Sequence, residues 1–329
     1  MTTGLPPGER MAGGLIAGFD AGQTHTTCRL AFAGSGAVLA QGVGPGVTHL
    51  AAPAAAERFE AALRSSLHAA LEQLDPAAPP LAAAAVGASG IELGSSSEQR
   101  GRLITAKALA LPDDRLWVGG DERTALRGAM GHQRGGILVI SGTGMIAVGR
   151  NAAGLEHRCG GWGWLVDQAG SACDIGRDGL SLSLAMADGR EPATGLQARI
   201  WQALGLDVTD PQASQAIKAR VVDPGFGAAG FAALAPVVSA AASDGDAQAF
   251  AILARSAETL AQMVKAISCH LGLEAPPVWL AGGALEHLHP LRHAFEQALT
   301  RHCPRATIAP PAGDACDGAL ALARGLAIT

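Results

Sequence analysis

Two short stretches with the same plan, about 120 residues apart, constrain this chain more than any other feature. In the first, the apolar run Leu15-Ile16-Ala17-Gly18-Phe19 enters Asp20-Ala21-Gly22-Gln23-Thr24-His25-Thr26, and Thr27-Cys28-Arg29-Leu30-Ala31-Phe32 resumes with alternation. In the second, Gly136-Ile137-Leu138-Val139-Ile140 enters Ser141-Gly142-Thr143-Gly144 and returns as Met145-Ile146-Ala147-Val148-Gly149-Arg150. Each reads as strand, tight Gly/hydroxyl turn, strand. One such turn is an ordinary hairpin. Two predict a duplicated domain.

The intervening pattern alternates helices and strands. The Ala- and Leu-rich stretch 54–74 has helical spacing and is stopped by Pro76, Pro79 and Pro80. Leu81 to Gly87 reads as a buried strand closing on Gly87-Ala88-Ser89-Gly90, and Arg115-Leu116-Trp117-Val118 as another, followed by Gly119-Gly120-Asp121. From Glu191 to Leu273 the chain is mostly helical, with breaks near Pro211, Pro224-Gly225 and Gly245. Val278-Trp279-Leu280-Ala281 is a strand ending in Gly282-Gly283, and a final helix runs from about Asp317 to Leu326. This is an α/β protein with layered sheets, and 329 residues leave room for two domains. Residues 1–14, with Pro6-Pro7 and Gly13-Gly14, read as a mobile leader, and Met11 offers a second start.

Charge and composition exclude several classes. There are 24 basic and 29 acidic residues and no basic run, so the electrostatic footprint of a nucleic-acid binder is missing. No apolar run approaches the ~18–20 residues that span a bilayer. The N-terminus makes a poor signal peptide, which leaves the cytoplasm as the expected location. The six cysteines show no CxxC spacing, so reduced thiols are expected rather than a disulfide scaffold or a Cys-rich zinc site.

The turns suggest phosphate chemistry. Gly22 lets backbone approach a ligand, Thr24 and Thr26 offer hydroxyl donors, and Asp20 at the strand end suits a metal-bound water. Ser141-Gly142-Thr143-Gly144 has the same logic, as a cradle of backbone N–H groups. Asp121 precedes a helical stretch, Glu122 to Met130, and reads either as its N-cap or as a general base beside a hydroxyl nucleophile. Gly160-Gly161-Trp162-Gly163-Trp164 is a glycine/indole segment, suited to stacking on a sugar ring or to plain packing. Gly282-Gly283 permits close approach of a flat ring or opens a helix. His287, His289, His293 and His302-Cys303 read as a solvated face rather than a metal site, with Pro290 interrupting the helical spacing.

Taken in order, the DxGxT turn, GASG, GGDxxxAL, SGTG, GGWG, GS…DIGR, LAGG and DGAL resemble the N-acetylglucosamine kinase-like sugar kinases. These belong to the BadF/BadG/BcrA/BcrD-type ATPase group within the actin, hexokinase and Hsp70 fold superfamily. The resemblance runs from about Ile16 to Leu326. It implies two ribonuclease-H-like (actin-like ATPase) domains with an interdomain cleft: residues 15–122 joined by the C-terminal helix 314–329, and residues 123–313. It implies ATP and magnesium (Mg2+) as cofactors, a sugar as substrate and a homodimer. Asp20, Gly22, Gln23, Thr24 and Thr26 would form the first phosphate loop, with Asp20 near the metal. Ser141, Gly142, Thr143 and Gly144 would form the second, and Gly282 and Gly283 would lie against adenosine. Asp121 would be the catalytic base. Thr48, His49, Ser89, Gly90, Trp162, Gly163, Asp167 and Gln168 would line the sugar pocket.

Some positions depart from the family's pattern. Ala21 and Gln23 replace two glycines of the first loop, and His25 replaces its basic residue. Where the family reads G-D-E-G-S after GGWG, this chain reads Asp167-Gln168-Ala169-Gly170-Ser171. Thr48 stands near a usual Asn, and Met145 follows SGTG in place of Ser. The phosphate machinery is thus mostly kept while the sugar contacts are altered, which points to glucosamine, another amino sugar or a different polyol, with N-acetylglucosamine as the lead. Two alternatives stay open: an ATPase activator of a 2-hydroxyacyl-CoA dehydratase or benzoyl-CoA reductase system, whose iron–sulfur cluster would need Cys159 and Cys173, and an inactive sugar or nucleotide sensor.

Overall fold

The computed structural model describes residues 14–167 and 169–328, so the expected leader, apart from Gly14, and Gln168 lie outside the described residues. The chain divides into two compact units, one built from the chain up to Gln133 together with Pro311 onward, the other from Arg134–Pro310.

The first unit opens with an antiparallel meander, β1 (Leu15–Ala21), β2 (His25–Phe32) and β3 (Val38–Pro45). Helix α1 (Ala55–Leu71), β4 (Leu81–Ala88), α2 (Ser96–Leu109), β5 (Leu116–Gly120) and α3 (Asp121–Met130) follow. The sheet order is β3-β2-β1-β4-β5, with β4 parallel to β1 and β5 parallel to β4. Alternation along β1 sends Ala17, Phe19 and Ala21 into a core with Phe59 and Leu63 of α1. Ile16 goes to the opposite face, where Ala319, Leu320 and Ala323 of the C-terminal helix, Ala315–Ile328, cover it.

Glycines let that helix lie on the sheet almost backbone to backbone. A Cβ on Gly18 of β1 would stand 2.6 Å from the Leu320 nitrogen. The same helix crosses α3 through a second glycine contact: a Cβ on Gly318 would fall 1.9 Å from the Thr124 carbonyl oxygen, and one on Gly128 1.8 Å from that of Asp314. No side chain fits at such separations.

The second unit repeats the plan. Strands β6 (Gly136–Ser141), β7 (Met145–Arg150) and β8 (Glu156–Gly160) form a meander, followed by α4 (Ala172–Ala187), α5 (Gly195–Ala203), α6 (Ala213–Val221), α7 (Gly227–Ala232), α8 (Ala235–Ser243), α9 (Ala247–Leu271), β9 (Pro277–Ala281), α10 (Gly283–His287), α11 (His289–His302) and β10 (Thr307–Ile308). The order β10-β9-β6-β7-β8 matches the first sheet strand for strand, with β9 parallel to β6 and β10 parallel to β9. Both units therefore have the ribonuclease-H-like arrangement that the resemblance implies. Helix α9 is the spine of the second core: Leu253, Ala257, Leu260, Ala261, Val264 and Ile267 recur at intervals of three and four, all buried. Asp246 caps its start and Gly272, at φ 64°, ends it. Among the described residues no single helix is long and apolar enough to cross a membrane.

Three local expectations are corrected. β3 and β8 are strands that the sequence pattern did not announce, because Val38–Pro45 carries two glycines and a terminal proline and Glu156–Gly160 is polar. Asp121 is not the N-cap of α3; Gly120 is, and Asp121 is the first helical residue. Pro290 does not interrupt α11, since it lies in the first turn, where a missing N–H costs nothing. His289 and His293 thus share that helix, and both are exposed.

Gly318→Ala is expected to destabilise the protein by at least about 2 kcal/mol, because backbone cannot give way as a side chain can. Gly325→Ala, in the same helix with open space around it, is expected to be neutral or to stabilise by about 0.5–1 kcal/mol. Thermal denaturation of the two variants checks both; equal melting temperatures would contradict the packing.

Candidate functional site

In the first unit, the C-terminal edge of the parallel strands gathers carboxylates. Asp20 is the penultimate residue of β1 and Asp121 directly follows β5. Ligands of open α/β sheets characteristically lie at this edge. Asp20 lies opposite Gly87 of β4, and Ala88, the next residue, opposite Gly120 of β5. The carboxyl of Asp20 is pushed up to about 6, chiefly by burial and then by the charges of Asp121 and Asp314, with His25 pulling the other way. Asp121 is also raised, by burial, against hydrogen bonds that favour its charged form.

Asp314 is a third member that spacing could not announce, being 285 residues from its main partner, Arg29. Arg29 of β2 grips it with two bonds, Nη1 to Oδ1 at 2.9 Å and Nη2 to Oδ2 at 2.8 Å, and also reaches Asp317. Burial works against its charge, but these hydrogen bonds outweigh it and hold Asp314 below the usual carboxylate range. Asp314 and Asp317 also bind each other's backbone N–H, at 2.9 and 3.1 Å. The cluster is therefore an electrostatically uneven trio, with one carboxylate neutralised by a guanidinium and two without that relief. Glu122, buried beside Asp121, is a further acidic neighbour missed from sequence. Its carboxylate occupies the space that a Cβ on Gly120 would take.

The first turn is compact. Gly22 N–H donates to the His25 carbonyl at 3.1 Å, and Val47 N–H donates to the Gly22 carbonyl at 3.0 Å. Gly46 allows the loop after β3 to lie against Gln23, since its Cβ would stand 2.1 Å from the Gln23 oxygen. Gln23, Thr24 and His25 are exposed. Thr26 is not: it is fully buried, its hydroxyl unpartnered, and it lies opposite Ala21 on the core face. Thr27 is the threonine opposite Asp20. The residues expected at a substrate stand nearby: Ser89 N–H donates to the Ala21 carbonyl at 3.0 Å, and Gly90, at φ 80°, leaves room for the His49 ring. His49 Nδ1 accepts from Ala51 N–H at 3.2 Å, and Thr48 is partly exposed.

In the second unit, Gly142 and Gly144 open onto free space and Thr143 is exposed. Gly142 N–H donates to the Gly144 carbonyl, closing the turn, and Ala172 N–H of α4 donates to the Gly142 carbonyl, each at 2.8 Å. Ser141 is spoken for: its buried hydroxyl donates to the Gly170 carbonyl at 2.6 Å. Gly282, at φ 92°, brings its backbone against that of Ser141, where a Cβ would meet the Ser141 oxygen at 2.4 Å. Gly283 is exposed at the first residue of α10.

The glycine/indole segment follows β8. Trp162 is 64% exposed, with the Arg158 guanidinium 4.7 Å above its ring. Gly163, at φ 99°, faces open space. The Asp167 carboxylate accepts from Trp162 N–H at 2.7 Å, so in this structure it braces the segment. Cys173 is buried at the start of α4, with its thiol pushed up to about 11 mainly by burial, and Cys159 is raised by the same cause.

A model of the BadF/BadG/BcrA/BcrD ATPase family matches residues 17–322. The N-acetylmuramic acid/N-acetylglucosamine kinase of Clostridium acetobutylicum is 32% identical over 212 residues, 64% of this chain and 67% of that protein. The N-acetyl-D-glucosamine kinase of Dictyostelium discoideum is 30% identical over 191 residues, 57% of this chain and 59% of that protein. A solved structure designated an N-acetylglucosamine kinase, from Chromobacterium violaceum, matches with a TM-score of 0.72 and 29% identity, covering 94% of this chain and 98% of that one.

The Asp20 shift has a consequence for stability. Its folded value near 6 exceeds the 3.8 of a free carboxyl, so the folded state binds this proton more tightly than the unfolded chain does. The stability it contributes is complete below about pH 4 and is lost as pH rises through 6. With divalent cations chelated, Asp20→Asn is expected to be more stable than the parent at pH 8, by about 2 kcal/mol, and equal to it at pH 4. Urea denaturation at the two pH values checks this; a difference independent of pH would contradict it.

Proposed function

The chain belongs to the BadF/BadG/BcrA/BcrD ATPase family, and on that footing we propose that it is an ATP-dependent kinase of amino sugars of the N-acetylglucosamine type. The observation that carries this is Asp121 at the C-terminal edge of the first sheet beside Asp20, in a chain with a Gly/hydroxyl turn in each unit. The three similar proteins, each designated a kinase of N-acetylglucosamine or of its muramic acid relative, support the acceptor class.

Asp121 takes the proton of the attacking sugar hydroxyl. A carboxyl raised by burial is a stronger base than a free one, which suits this task near neutral pH. Backbone N–H groups of the Gly142–Gly144 turn and the exposed Gln23–Thr24 turn hold phosphate oxygens. Exposed Gly283 leaves room for the nucleoside, and Gly282 lies beside it against the Ser141 backbone. The donor set also fits magnesium. Asp20 is a part-buried carboxylate under repulsion from Asp121 and Asp314, which a divalent cation would relieve. Magnesium needs only one or two protein carboxylates, its remaining positions going to waters and phosphates. When bound it neutralises charge on the transferred phosphoryl group. Within the first unit Thr48, His49, Ser89 and Gly90 are the candidate sugar contacts; within the second they are Trp162, Gly163 and Asp167, whose carboxylate also braces the Trp162 N–H. The resemblance adds a homodimer, which light scattering on the purified protein would test; the cytoplasm is the location expected from the poor signal peptide.

Release of ADP with ATP and magnesium is to be measured against glucosamine, N-acetylglucosamine, N-acetylmannosamine, glucose and no sugar. Sugar-dependent release with one or more amino sugars is the expected result; ATP binding without any sugar-dependent release would favour a sensor. Asp121→Asn is expected to lower turnover about 10²–10⁴-fold with ATP binding retained, and near-parental turnover would remove Asp121 from the mechanism.

A further inference from the structure

Helix α4 does more than pack. Its first residues touch two chemically distinct segments of the second unit. On one side, Ala172 N–H and Cys173 N–H donate to the carbonyls of Gly142 and Thr143, at 2.8 and 3.4 Å. On the other, Arg177, one turn further along, donates from Nη1 to the Trp164 carbonyl at 3.1 Å. The same guanidinium donates from Nη2 to Asp174 Oδ1 at 2.7 Å. Asp174 is 1% exposed and locked in a capping box with Ser171, whose hydroxyl and backbone N–H both reach its Oδ2, at 2.6 and 3.2 Å.

The position of Arg177 is therefore over-determined. A buried carboxylate needs a charged partner, and the fork of the guanidinium leaves a second nitrogen aimed at the indole segment. That segment has a few other anchors: the Trp164 ring stands 6.1 Å from that of Phe231 in α7, tilted against it. Asp167 braces Trp162 from within, and Arg158 lies over the Trp162 ring with Nη2 on the Gly161 carbonyl at 3.3 Å. Leu165 and Val166, just beyond, are 75% and 74% exposed, so little hydrophobic packing holds this stretch in place.

We infer that Arg177 is a positioning residue: it ties the Trp162–Trp164 segment to the helix whose first backbone N–H groups hold the Ser141–Gly144 turn, and so fixes where the acceptor sits relative to the phosphates. The kinetic part of this inference rests on the sugar-kinase function proposed above; the structural part does not. Nothing in local sequence spacing marks the role, because the Arg177–Trp164 contact spans thirteen residues and a loop.

Arg177→Lys separates this role from mere charge compensation. Lysine still neutralises Asp174, but its point-like ammonium cannot serve two acceptors in fork geometry. The melting temperature is therefore expected to stay near the parental value. Hydrogen exchange of the backbone amides of 162–167 is expected to accelerate while the amides of β6 and β7 stay protected. KM for the sugar is expected to rise about tenfold, with KM for ATP changing less than about twofold. In Arg177→Ala, added guanidinium ion is expected to restore part of the lost sugar affinity, since Arg177 is itself part-exposed. Unchanged exchange in 162–167 would overturn the inference. So would equal rises in both KM values. Should the parental protein phosphorylate no sugar, the functional reading fails, and the exchange experiment still decides whether Arg177 holds the segment.

Discussion

The close approach of backbone to backbone through Gly18, Gly128 and Gly318 is the constraint on which the first unit depends. Because no side chain intervenes there, the C-terminal helix lies directly against β1 and against α3. The start of that helix is consequently delivered to the end of β1. Asp314 and Cys316 arrive beside Asp20, although they stand almost 300 positions later in the chain. The Arg29 fork then ties the helix start to β2. A chain with alanine at these glycines would have to move the helix outward and would dissolve the carboxylate cluster with it.

That cluster is uneven in a useful way. Three carboxylates within electrostatic range of one another cannot all ionise cheaply. Arg29 relieves Asp314, which leaves the strain on Asp20 and, through burial, on Asp121. A site meant to meet a cation and to accept a proton is well served by carboxylates whose charge is incompletely compensated in the free protein.

Much of this was legible in the sequence. The two strand–turn–strand units, the strands read over Leu15–Phe19, Arg115–Val118, Gly136–Ile140 and Val278–Ala281, and the long helical stretch before Leu273 follow from local patterns of apolar residues and glycine. What local pattern does not carry is which face a residue takes and who its distant partner is. Thr26 and Thr27 are alike in sequence, but the register of β1 against β2 turns the first into the core and sets the second opposite Asp20. Ser141 reads as a free hydroxyl, but the return of the chain at Gly170 claims it. Asp167, which the resemblance places at the sugar, also accepts from the Trp162 amide, a contact that spacing did not announce. Arg29 and Asp314 carried no signal, and Arg177, though it closes the DIGR motif, gave no hint of its role, because their meaning lies in contacts made across the fold. β3 and β8 were obscured because an edge strand can be polar or glycine-rich without losing its ladder.

The placement of the last helix also dictates the order in which the protein can be made. The second unit is contiguous in sequence, 134–310, and holds all its strands before the chain ends. The first unit is not: one face of its sheet, with Ile16, Ala83 and Ala85, stays uncovered until Ala319, Leu320 and Ala323 arrive. During synthesis the domain begun first is therefore completed last, and its apolar face waits through the translation of the entire second domain. Premature termination anywhere upstream of residue 315 leaves that face exposed, so truncated chains become ready substrates for chaperones and proteases.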